Sequence, residues 1–288
     1  MQPEFQKQHK ISKIYLKQFG YSDENGVEWV SVYKLGSGKT ENLRICDFTT
    51  ETNIFDLPFE EPEIKRHFEI LSGKLENSYR SVILSLVSQK QLSPQGKDLT
   101  NHFVANLLCR SDRFRDFVKD MLNDKNGRNI LLNEITIFSE NLNELEKLQS
   151  ILKRIQKEKE LNIVMCYVMN HLVYVFQRFK KVILRHYKNN GWLTSDNPVH
   201  IERFGNFRWL IPIEAEIYFP LSKDYCLFMF HEDSKQNENP LRKLKLEKVN
   251  IVNFETCDQV NKKMFLKDNA YFGFDYLIFN TKTESTVL

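Results

Sequence analysis

The chain has 288 residues, 41% of them hydrophobic and 27% charged, with a formal net charge of +3. This composition excludes a disordered chain and allows a sizeable core, as one elaborate domain or two small ones, while so small a charge neither demands nor excludes nucleic acid. Five scattered cysteines, odd in number and without a Cys-x-x-Cys pair, argue against both a disulfide framework and a zinc cluster.

The N-terminal run has no apolar h-region or cleavage site, so the expected compartment is the cytoplasm. In residues 9–19, HKISKIYLKQF, Ile11, Ile14, Tyr15 and Phe19 fall on one helical face and Lys10, Lys13 and Lys17 on the other. Ser12 is a good N-cap, so a short amphipathic helix is expected from there, with His9 just before it. Next comes VYKLGSGKT, residues 32–40, which imitates a phosphate-binding loop. Tyr33 stands where that loop needs its first glycine, and both flanks read as strands. The prediction is a hairpin turn, with positive φ at Gly36 and Gly38, and no nucleotide at Gly36–Thr40.

Residues 61–87 carry Ile64, Phe68, Leu71, Leu75, Tyr79 and Ile83 at spacings of three and four, which predicts one long helix; Leu145, Leu148, Leu152 and Ile155 predict another. The apolar run 161–179 contains Asn162, Asn170, His171 and Gln177, a polarity that suits a buried central helix better than a membrane span. His171 is expected to be a satisfied core histidine. Residues 178–188, RFKKVILRHYK, read as the solvated C-terminal end of that helix.

Beyond Trp192, the Asp196-Asn197-Pro198 sequence is strong turn chemistry, with Asx side chains expected to bond the backbone ahead. Residues 215–230 read as a hairpin turning at 221–224, with Pro220 ending its first strand, followed by a helix and a final strand. Strands at both ends and helices between predict a single composite α+β domain over 1–288. Its parts are 1–58 (short helix and β-hairpin), 59–190 (helical region) and 191–288 (strands, helix and final strand). One sheet built from N- and C-terminal strands would pack against the large central helical region.

These segments resemble a bacterial domain-of-unknown-function (DUF) family, number 4238, over most of the chain. His9, Ile11, Tyr15, Leu16 and Phe19 match its opening pattern His-x-(Ile/Val)-Pro-x-x-Tyr-Leu-x-x-Phe, with Ser12 in place of Pro. The resemblance continues through a hairpin, a helix with Glu69 and Glu76, a helix with Arg110 and Arg115, and an intact Ser195-Asp-Asn-Pro-Val199 element. It supplies no reaction. It implies that His9, Glu69, Glu76, Arg110, Asp196 and Asn197 share one polar region.

Two functions of different classes follow as expectations. One is a nucleic-acid-directed, nuclease-like toxin or defence effector. Its general acid or base is His9, with Asp196 and Glu69 or Glu76 orienting it or holding a divalent metal, and Arg110, Lys13, Lys181 and Asn197 facing the substrate. The other is a non-catalytic interaction or sensor protein in which the same groups are structural clamps. For Glu69 and Glu76, about 10 Å apart along a helix, the plain alternative is pairing with Lys65 and Arg80, and Arg110 is expected to anchor a carboxylate.

Overall fold

The computed structural model describes residues 5–138, 143–188, 191–202, 210–235, 238–265 and 274–279. The chain opens with β1 (Lys7–His9) and then α1 (Lys13–Leu16), whose N-cap is Ser12 as expected, its hydroxyl accepting from the Tyr15 amide at 3.4 Å. After β2 (Tyr21–Ser22) come the hairpin strands β3 (Glu28–Lys34) and β4 (Lys39–Arg44). Their turn is the one predicted, but only Gly38, at φ +65°, uses the positive region, and β4 stops at Arg44 instead of running on. A short β5 (Thr50–Thr52) pairs antiparallel with β1.

The expected single helix over 61–87 is two: α2 (Pro62–Lys65) and α3 (His67–Gln89), separated at Arg66. Arg66 leaves helical geometry at φ −96°, ψ 12°, its Nη1 donating to Gln6 and pairing with Asp56. This break leaves Ile64 exposed, while Phe68, Leu75 and Tyr79 keep the buried stripe. The helical region continues through α4 (Pro94–Arg110), α5 (Asp112–Asn123), α6 (Lys125–Thr136), α7 (Glu144–Leu152) and α8 (Glu160–Gln177). As predicted, α8 is a buried central helix, packed on α4, α5 and α6. Its His171 meets the Glu134 carboxylate at 3.3 Å, and Glu134 also accepts from the Leu210 amide. Among the described residues no helix is long and apolar enough to cross a membrane.

Residues 178–188 are not the solvated end of α8. The helix stops at Gln177, and β6 (Phe179–His186) follows as a strand with Val182, Ile183 and Leu184 all buried. β-Branched and apolar side chains on both faces of a strand read the same as a helical continuation until its neighbours are known. The neighbours are β10 (Tyr225–His231) on one side and β11 (Val249–Val252) on the other. The remaining strands are β7 (Thr194–Ser195), β8 (His200–Glu202), β9 (Glu216–Pro220) and β12 (Tyr276–Phe279), with helix α9 (Phe254–Phe265) before the last. The β9–β10 hairpin turns where predicted, and Asn253 caps α9 by accepting from the Thr256 amide.

The fold is α+β, but the sheet is not single. Among the described residues there are two five-stranded sheets and the β1–β5 pair. One larger sheet, in the order β11-β6-β10-β9-β8, is mixed because β11 runs parallel to β6. Its Ile183, Ile217 and Leu227 face join the helical core, and its opposite face, with Leu184, Tyr218 and Phe228, packs under α9. The other sheet joins the termini: β3 pairs with β2, β4 and β12, and β12 pairs with β7.

Candidate functional site

The motif groups gather where α1, the middle of α3 and the C-terminal end of α4 meet. Arg110 ends α4 with a guanidinium that is only 1% exposed. Its Nη2 donates to the backbone carbonyl of His9, and its Nη1 forms an ion pair with Glu69 Oε1 at 2.8 Å. Nε makes no hydrogen bond; the flat face rests on Phe55, 4.5 Å from the ring centre. Arg110 is thus the carboxylate anchor expected, and Glu69 pairs across helices with it, while Lys65, on α2, pairs with Asp56. Glu76 lies one face-repeat further on α3, where the Ser12 hydroxyl favours its charged form. Burial raises its pKa and Arg110 opposes that rise, with the Glu69 charge adding to it.

Among the described residues the His9 ring is not hydrogen-bonded to a carboxylate, although the Asp47 charge reaches it. Its Nε2 lies 3.1 Å from the Cys46 carbonyl, an acceptor, so the nitrogen carries a proton and donates. Burial, together with Lys13 and Arg110, lowers its pKa to about 4. A ring held neutral and spent on a backbone carbonyl is poorly placed to move protons near neutral pH.

Asp196 lies next to this interior cluster. Residues Ser111 to Arg113, directly after Arg110, line a surface cavity of about 270 Å³ together with Lys10, Asp196, Asn197 and Asp275. Asp196 does not bond the backbone ahead of it as an Asx turn would. Its Oδ1 reaches across to accept the amides of Asp275 and Tyr276, at 2.9 and 2.8 Å, and so fixes the start of β12. The tight turn belongs instead to Ser195, whose hydroxyl donates to the Asn197 carbonyl and accepts from its amide. Around the cavity, Lys10 bridges Asp112 and Glu51, and Arg113 pairs with Asp275.

Burial raises the Asp196 pKa to about 6, despite the two amide bonds, and the Asp275 charge contributes. A carboxylate whose folded pKa is raised stabilises the fold below its unfolded value, near 4, and that stability is lost as pH rises through 6. Asp196→Asn keeps the accepting oxygen and removes the charge. Its melting advantage over the parent is therefore expected to be absent below pH ~4 and to reach on the order of 3 kcal/mol above pH ~7. A difference independent of pH would contradict this account.

The structure thus gathers His9, Lys13, Glu69, Glu76 and Arg110 in one cluster and sets Asp196 and Asn197 at the cavity that begins one residue beyond Arg110, but Lys181 belongs to neither. That side chain is buried in β6 and donates to the Phe176 and Phe179 carbonyls, capping the end of α8. Burial lowers its pKa to about 8, and its charged neighbours Glu247, Lys97 and Asp98 stand at the opposite end of α4 from Arg110, roughly 20 Å away. Among the described residues no group of three or more His, Cys, Asp or Glu could hold a metal ion, and the candidate ligands His9, Glu69 and Asp196 point to different partners.

Sequence reasoning missed Lys10, Asp112, Arg113 and Asp275, which enclose the cavity. Arg113 and Asp275 are 162 positions apart, and nothing local to either signals the other.

Residues 7–270 match the family model described as "Protein of unknown function (DUF4238)", and the chain belongs to that family. No curated protein and no solved structure matches the chain.

Proposed function

We propose that this is a non-catalytic binding protein of the interaction or sensor kind, in which the motif residues clamp the N-terminal segment and the last strand onto the helical region. The observation that carries this reading is the commitment of the His9–Arg110 pair. The imidazole donates to Cys46, and the peptide carbonyl of the same residue is held by a buried guanidinium already paired with Glu69. Buried polar groups paired in this way suit a clamp between segments.

A nucleic-acid-directed hydrolase, acting as a toxin or defence effector in the cytoplasm, is the second reading. What favours it is a carboxylate titrating at about 6 beside a cavity that also presents Lys10 and Arg113. The two separate in one assay. Purified protein is incubated with single- and double-stranded DNA and RNA, with magnesium or manganese, alongside His9→Gln and Asp196→Ala. The clamp reading expects no turnover by the parent and lowered melting temperatures for both variants. Metal-dependent cleavage by the parent that Asp196→Ala abolishes, with the fold intact, would overturn it in favour of the hydrolase.

A further inference from the structure

The sheet face under α9 is incompletely covered. A groove runs along the N-terminal half of α9 in two parts, of about 700 Å³ and about 570 Å³, which share Ile251, Val252 and Asn253. The larger part has the size of a small-molecule site. Apolar side chains stand in water along it: Ile251 is 70% and Phe254 63% exposed, and Tyr187 is exposed on the far wall. These neighbours form a contiguous apolar surface of the kind that marks a binding groove.

The charges of the groove decide what fits. Glu216 is offset by Arg242 at 2.8 Å, and Lys263 by Glu202 at 2.9 Å. Glu238 and Glu255, both exposed along the groove, have no ion-pair partner among the described residues. The lining is therefore left with a net negative charge. A ligand carboxylate would find Lys263 already neutralised and Glu238 repelling it.

We propose that the groove binds an amphipathic organic amine, its ammonium at Glu238 and its hydrocarbon along Leu241, Leu244, Ile251 and Phe254. The binding-protein reading gives this site its purpose, but the two fail separately: nuclease activity would leave the groove untouched, and an empty groove would leave the clamps in place.

The test is calorimetric titration of the full chain with hexylamine, octylamine and decylamine, and with the carboxylates and alcohols of the same lengths, all below their micelle concentrations. Amine affinity should rise about fourfold per added methylene, the value of a buried methylene, and exceed that of the matching alcohol about fivefold, the size of an exposed ion pair. Glu238→Gln combined with Glu255→Gln should bring amines down to the alcohols, and Ile251→Ser should flatten the length dependence; all three positions are exposed, so melting temperatures should not move. Absence of binding, no dependence on chain length, or equal affinities for amine and carboxylate would each overturn the proposal. So would a concentration-dependent dimer that Ile251→Ser abolishes while amines have no effect.

Discussion

Arg110→Met is expected to remove about 3–5 kcal/mol of folding stability, seen as a large fall in the urea midpoint with little change in slope. The reason is what the variant leaves behind. Glu69 loses its cation, Glu76 loses the charge that opposes its raised pKa, and the His9 carbonyl loses its donor, all in a region from which water is largely excluded. Methionine refills the space over Phe55 but satisfies none of these groups. The double variant Arg110→Met/Glu69→Leu should recover part of the loss, because an apolar pair of similar volume can replace a buried ion pair at small net cost. A single variant within about 1 kcal/mol of the parent would mean that Arg110 is not a clamp, and the binding-protein reading would lose its main support.

Tyr15→Ala should be nearly as damaging, at about 3–5 kcal/mol. The Tyr15 ring is fully buried against Phe219, Phe19, Tyr79 and Phe103, with centroids 5.2 to 6.3 Å away. Its hydroxyl meets Thr194 Oγ1 at 2.6 Å and donates to the Pro220 carbonyl at 2.8 Å. One side chain on a four-residue helix therefore ties the N-terminal segment to β7 and β9. Tyr15→Phe keeps the ring and isolates the hydroxyl, for an expected loss of about 1–3 kcal/mol. Limited proteolysis provides an independent check: both variants should be cut sooner within residues 5–20, and unchanged cutting together with an unchanged midpoint would refute the tie.

What could be read in advance divides along sequence distance. The Ser12 cap, the turn at Gly38 and the strand end at Pro220 are all decided by groups a few residues apart, so local chemistry reveals them. β6 escaped because a strand buried on both faces lacks the alternation that distinguishes a half-buried one. The pairing of β6 with β11 is equally invisible, since register across a sheet depends on residues far along the chain. The site followed the same rule. Grouping of the N-terminal motif with the Asp-Asn-Pro element was legible through the family resemblance, but the partners of each group were not. Cys46 serves His9 with its carbonyl, which any residue has, and Asp196 binds amides of β12, which any strand has.

The sheet joining β3 to β12 bears on how the chain is made. Lys34 pairs with Tyr276, so the β3–β4 hairpin, once made, waits for a far later strand before that edge of β3 is closed. At about 5–20 residues per second, that wait is on the order of ten seconds or more. During it, Val30 and Val32, both fully buried in the finished fold, have no cover from β12. Closure also requires joining segments with nearly the whole chain looped between them, a slow event in topologies rich in distant contacts. Until β12 has been made the strand edge of β3 stands open, and a stop before residue 274 would release a product in which it stays so.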